Sequence, residues 1–90
     1  MPVGKDQTEQ IVAENLKRKY LNIEGIVFTS FEQYVYPVLH KESGTSKIEV
    51  RNSLVLSGMF KVKNVYGIFT YIIDAETGEI MEYKIIPPIQ

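Results

Sequence analysis

The chain is predicted to be a small α+β domain in which one N-terminal helix packs on a curved antiparallel sheet of four to five strands. Three observations carry that reading. Near the N-terminus, Ile11, Val12, Leu16, Tyr20 and Ile23 recur at helical spacing. From Lys47 to Lys63, Ile48, Val50, Leu54, Leu56, Phe60 and Val62 take even positions, while polar residues from Lys47 and Glu49 to Lys61 and Lys63 take odd ones. That is the period of a strand with one buried and one wet face. At the C-terminus, two runs rich in Ile, Tyr and Phe flank Asp74-Ala75-Glu76-Thr77-Gly78, the signature of a hairpin.

Taken in order, Met1 to Lys5 is expected to be a flexible arm. Asp6 is suited to cap a helix, with Glu9 three residues on completing a capping box. The helix runs from Gln7 to about Leu21, with Glu14, Lys17 and Arg18 on its polar side, and Asn22 and Gly25 end it. Ile26 to Lys41 is strand-like, with a break at Ser30 to Gln33. Pro37 lacks a donor N–H, so this strand belongs at a sheet edge or carries a bulge. Glu42 to Ser46 is a polar loop of hairpin length. Gly58 marks where the long alternating strand could bend around the helix, and Asn64-Val65-Tyr66-Gly67 turns the chain into the last hairpin. Pro87-Pro88 ends the final strand, leaving 87–90 as a tail. Residues 1–90 read as one domain, because a chain of 90 residues has no room for separate catalytic and substrate modules.

The last hairpin leaves one choice open. In the final strand, Met81, Tyr83 and Ile85 should face the helix. A three-residue loop with a bulge at Gly78 aligns Phe69, Tyr71 and Ile73 with them, whereas a four-residue loop aligns Ile68, Thr70 and Ile72. The aromatic trio is favoured inside because its rings contribute most to a small core. The outer face would then carry Val55, Met59, Ile68, Ile72, Ile80 and Ile86, an apolar patch expected to meet a second subunit or another protein.

Composition excludes several classes. A net charge of −1 is poor for a general polyanion binder, and the absence of cysteine removes disulfides and thiolate chemistry. No apolar run approaches the ~20 residues of a membrane span, and no secretory leader is evident. A cytoplasmic, soluble protein is therefore expected.

Few residues suggest chemistry. His40 is the only histidine, and no Gly-x-Ser-x-Gly elbow accompanies it. Asp74, Glu76, Glu79 and Glu82 are acidic but lack the spacing of a calcium loop. Lys17-Arg18-Lys19 splays around a helix, and Phe31, Tyr34 and Tyr36 lack the pattern of an RNA-binding strand. No catalytic residue, cofactor, metal or nucleic acid is expected, nor a small-molecule ligand.

Phe69-x-Tyr71-x-Ile73-Asp74-Ala75-Glu76-Thr77-Gly78-Glu79-Ile80 resembles the closing hairpin of PepSY domains, where an alternating strand leads into Asp-Ala-x-Thr-Gly-Glu. The helix followed by long strands resembles the wider cystatin-like architecture. The resemblance implies an extracytoplasmic, peptidase-modulating role. Beside it stands the expectation drawn from the residues: a non-enzymatic interaction or structural module that self-associates.

Overall fold

Helical spacing and alternation become five elements. The computed structural model describes residues 3–42 and 44–89. They form α1 (Lys5–Lys19), β1 (Gly25–Glu42), β2 (Thr45–Val62), β3 (Val65–Asp74) and β4 (Ile80–Ile86). The four strands pair antiparallel in the order β1-β2-β3-β4, so each lies beside its neighbour in the chain. One helix packs on one face of this open sheet, which makes the molecule an α+β protein.

The helix begins earlier than expected. Gly4, in extended conformation, is the N-cap, and no side chain caps the first turn. Asp6 lies inside that turn, where a carboxylate still complements the helix dipole. Met1 and Pro2 of the expected arm lie outside the described residues, while Val3 donates its N–H to the Ala75 carbonyl at 2.7 Å. Thr8, Val12 and Leu16, spaced four apart, are fully buried, with Ile11, Tyr20 and Ile23 packed beside the core. Thr8 tolerates burial because its hydroxyl donates to the Lys5 carbonyl at 2.7 Å. Asn22 adopts a left-handed conformation just beyond the helix, and Gly25 opens β1 rather than closing α1.

β1 is continuous through the expected break at 30–33. It accommodates the irregularity as a bulge between Phe28 and Ser30, and Pro37 sits on an edge strand as its missing donor requires. The loop after it is tighter than anticipated. Glu42 pairs with Thr45, and Gly44 takes φ 81°; Ser43 lies outside the described residues.

β2 keeps its alternation, but its even positions do not all reach the core. Leu54, Leu56 and Phe60 are buried, while Ile48 and Val50 are exposed. The reason is length. A 15-residue helix spans about 22 Å, whereas the contour of an 18-residue strand, followed along its bends, is roughly 60 Å. The sheet outruns its cover, and the molecule measures 51 × 27 × 19 Å.

The turn into β3 is Lys63-Asn64, not 64–67. Both residues have positive φ, 51° and 66°, as a two-residue type I′ hairpin demands. Gly67 is left inside β3, opposite Phe60, while Gly58 of β2 lies opposite Phe69. The two rings occupy the space that the two glycines vacate. A Cβ on Gly58 would stand 2.1 Å from the Val27 carbonyl and 2.6 Å from the Phe69 ring, and one on Gly67 would stand 2.7 Å from the Phe60 ring.

Phe69, Tyr71 and Ile73 all point inward and are fully buried. The chain reaches this register by an unexpected route. Asp74 and Glu79 close a four-residue loop, Ala75–Gly78, with the Asp74 N–H donating to the Glu79 carbonyl at 2.8 Å. Carried on unbroken, that loop would have turned the trio outward. A bulge at Met81 corrects it: Ile73 pairs with Ile80, Ile72 with Glu82 and Tyr71 with Tyr83. The bulge therefore lies in β4 and not at Gly78, whose φ of 78° serves the turn itself.

Candidate functional site

Beyond the helix, β1 from Val35 and β2 up to Asn52 continue as a two-stranded arm. Its two-stranded pairing runs from Val35 opposite Asn52 to Glu42 opposite Thr45, just past Ser53, which still pairs with Asp74 of β3. Alternation gives the arm two different faces. Val35/Asn52, Pro37/Val50, Leu39/Ile48 and Lys41/Ser46 form successive layers on the helix side of the sheet plane. Tyr36/Arg51, Val38/Glu49 and His40/Lys47 form those on the opposite side.

The first face is apolar and uncovered. Val35 is 61% exposed, Leu39 57%, Ile48 69% and Val50 61%. A two-stranded ribbon is marginal in water on its own, so an apolar face held open at these exposures is a surface suited to contact. At its base the face runs into an open hollow of about 510 Å³ bounded by Gln33, Val35, Asn52, Leu54, Ala75 and Glu76.

The second face is stiffened by charge. Glu49 accepts from His40 Nε2 at 2.7 Å and from Arg51 Nε at 3.2 Å, and Arg51 Nη1 reaches Asp74 Oδ2 at 3.5 Å. Hydrogen bonds from His40 and then Arg51 hold the Glu49 carboxyl below its ordinary pKa, and Glu49 in turn raises that of Arg51. These links tie the arm to the β3–β4 turn. Asp74 anchors that turn by accepting the N–H groups of Glu76 at 2.8 Å and Thr77 at 3.1 Å, which chiefly lower its pKa. The Tyr36 hydroxyl donates to Glu82 Oε2 at 3.1 Å, and Tyr34 donates to Glu32; each carboxylate pushes its phenol upward in pKa.

The six residues expected on the outer sheet face are not one patch. Met59 and Ile68 pair across β2 and β3, Ile86 pairs with Ile68, and Val27 extends the row onto β1. Val55 and Ile72 form a separate pair, flanked by Glu32 and Glu82. The Ser57–Thr70 pair, hydrogen-bonded at 3.1 Å, lies between the two groups. Ile80 stands apart from both, since the Met81 bulge turns it toward the helix side, where it packs against the core.

The residues considered for chemistry are dispersed. His40 lies on the arm with Glu49, Asp74 is buried in the turn, and Glu82 faces Tyr36. Among the described residues no group of three or more His, Asp or Glu could hold a metal ion. Lys19 leaves the basic cluster to lie 4.4 Å over the Tyr83 ring. No helix among the described residues is long and apolar enough to cross a membrane.

Alternation alone places Ile48 and Val50 in the core and gives Val35 and Leu39 no distinction. The signal was present in the mismatch between a 15-residue helix and an 18-residue strand. No family model matches the chain, and no curated protein or solved structure matches it either.

Proposed function

We propose that this protein is a non-enzymatic interaction module that binds protein through apolar strand surface outside its core. One observation carries the reading: Val35, Leu39, Ile48 and Val50 stand on a single open face of an arm with no second layer. A domain of this size loses solubility and gains nothing in core energy from such a face unless a partner covers it. The row Val27, Met59, Ile68 and Ile86 is a second, smaller surface of the same kind.

Cross-linking through Lys41 and Lys47, followed by mass spectrometry, tests the reading. Links from these lysines to another polypeptide, whether a second copy or a different chain, are expected. They should vanish when Leu39→Ser and Ile48→Thr are combined. Links confined to one molecule, or unchanged by the substitutions, overturn the proposal.

A peptidase-regulating module of PepSY or cystatin type is the second reading. Its support is the order of one helix followed by an antiparallel meander, with the Asp74–Gly78 turn built around an aspartate cap and a left-handed glycine. Titration against a panel of peptidases tests it, and unchanged rates throughout would remove it.

A further inference from the structure

We infer that the occupant of the apolar arm face is the same face of a second copy of this chain, the two arms lying antiparallel about a two-fold axis. The inference rests on the interaction reading above and names its partner. It follows from how the arm is composed along its length. The layers Pro37/Val50 and Leu39/Ile48 are both wholly apolar and adjacent, so an axis passing between them sets each against the other. An isologous contact needs that self-complementarity.

The same operation fixes what happens at the ends. With the axis at the level of Val38, Lys41 of one copy falls opposite Val35 of the other. Lys41 shares the apolar face through its pairing with Ser46. Val35 borders the hollow whose rim carries the exposed Glu76. A cationic tip thus meets an acidic base twice over, and the long stem of Lys41 has an open depression to enter. A parallel arrangement, about an axis along the strands, would set each tip layer Lys41/Ser46 against the same layer of the other copy and leave Lys41 at the far end of the arm from that copy's Glu76. Charge therefore selects the antiparallel one.

Area sets the strength. Val35, Leu39, Ile48 and Val50, each about 60% exposed, with the exposed Pro37, the tip and the hollow, contribute roughly 500 Å² per copy, at the low end for specific interfaces. A dissociation constant of roughly 1–100 µM is expected, so association appears only as concentration rises.

Analytical ultracentrifugation from micromolar to millimolar concentration, with carbodiimide coupling of a mixture of ¹⁴N- and ¹⁵N-labelled chain, tests the inference. The expected result is a monomer–dimer equilibrium and a mixed-isotope amide between Lys41 and Glu76. Lys41→Glu should weaken the dimer about tenfold or more, and Lys41→Glu with Glu76→Lys should restore it. Both replacements are on exposed side chains, and circular dichroism checks that they leave the fold intact. A dimer that is indifferent to the charge reversal, or that gives no mixed Lys41–Glu76 product, overturns the inference. A chain that stays monomeric while its tip lysines cross-link to a different protein overturns it too, yet leaves the interaction reading standing. A monomer without any partner defeats both.

Discussion

Tyr71 shows how one residue joins helix to sheet. Its ring is fully buried between Phe69 and Tyr83, and its hydroxyl donates to Asn15 Oδ1 at 2.7 Å. Burial, with smaller contributions from Tyr83 and Tyr20, pushes its pKa up to about 12. In the unfolded chain the phenol ionises near pH 10. The unfolded state thus loses a proton that the folded state retains. The stability tied to this group is whole below about pH 10 and is lost as the pH rises toward 12. Thermal melts should show the melting temperature falling across that interval, with a shallower fall in Tyr71→Phe. An equal fall in both proteins would detach the effect from this residue. Gly58 makes a steric counterpart. Gly58→Ala should cost about 1–3 kcal/mol in urea unfolding, because the 2.1 Å approach to backbone oxygen leaves nothing flexible to yield. Gly25→Ala, with no atom within 4 Å of the added carbon, should change stability by less than about 0.5 kcal/mol.

Among the elements, the turns differ most in what their residues reveal. Asp74 and Gly78 are ordinary turn chemistry, and the last hairpin was legible from them. Asp74→Ala removes the acceptor of two N–H bonds and should cost about 1–2 kcal/mol. Its lowered pKa makes that contribution present above the usual carboxylate range and lost as pH falls through the folded value. Urea unfolding at pH 7 and at acid pH, monitored by fluorescence, should therefore show the unaltered protein losing more of its stability on acidification than Asp74→Asn does. Lys63-Asn64 was not legible, because lysine rarely takes positive φ and the nearby Tyr66-Gly67 is a better decoy. Lys63→Asn with Asn64→Gly should raise stability by about 1 kcal/mol in the same urea assay. The Met81 bulge left no trace in the sequence either. Ile80, Met81, Tyr83 and Ile85 are all apolar, so alternation alone could not locate the slip. The candidate site was half legible: the period of two correctly assigned Ile48 and Val50 to one face, but a period cannot say whether anything lies over it.

For the molecule as a whole, the arm divides the sheet into a covered half and a bare one. Amide hydrogen exchange should reflect that division. Amides of Phe69 and Tyr71 should open only with global unfolding, while those of Val38 and Glu49 should exchange fast in dilute solution and slow as concentration rises. Concentration-independent exchange in the arm would count against its burial by a second copy. The strand order has a different consequence. Because every strand hydrogen-bonds only to the one before or after it, the sheet closes no long loop and grows from its tight turns outward. The helix alone must find partners far along the chain, with Val3 reaching Ala75. Stopped-flow refolding should accordingly show the meander zipping within milliseconds, and docking of the N-terminal segment as the event that commits the chain.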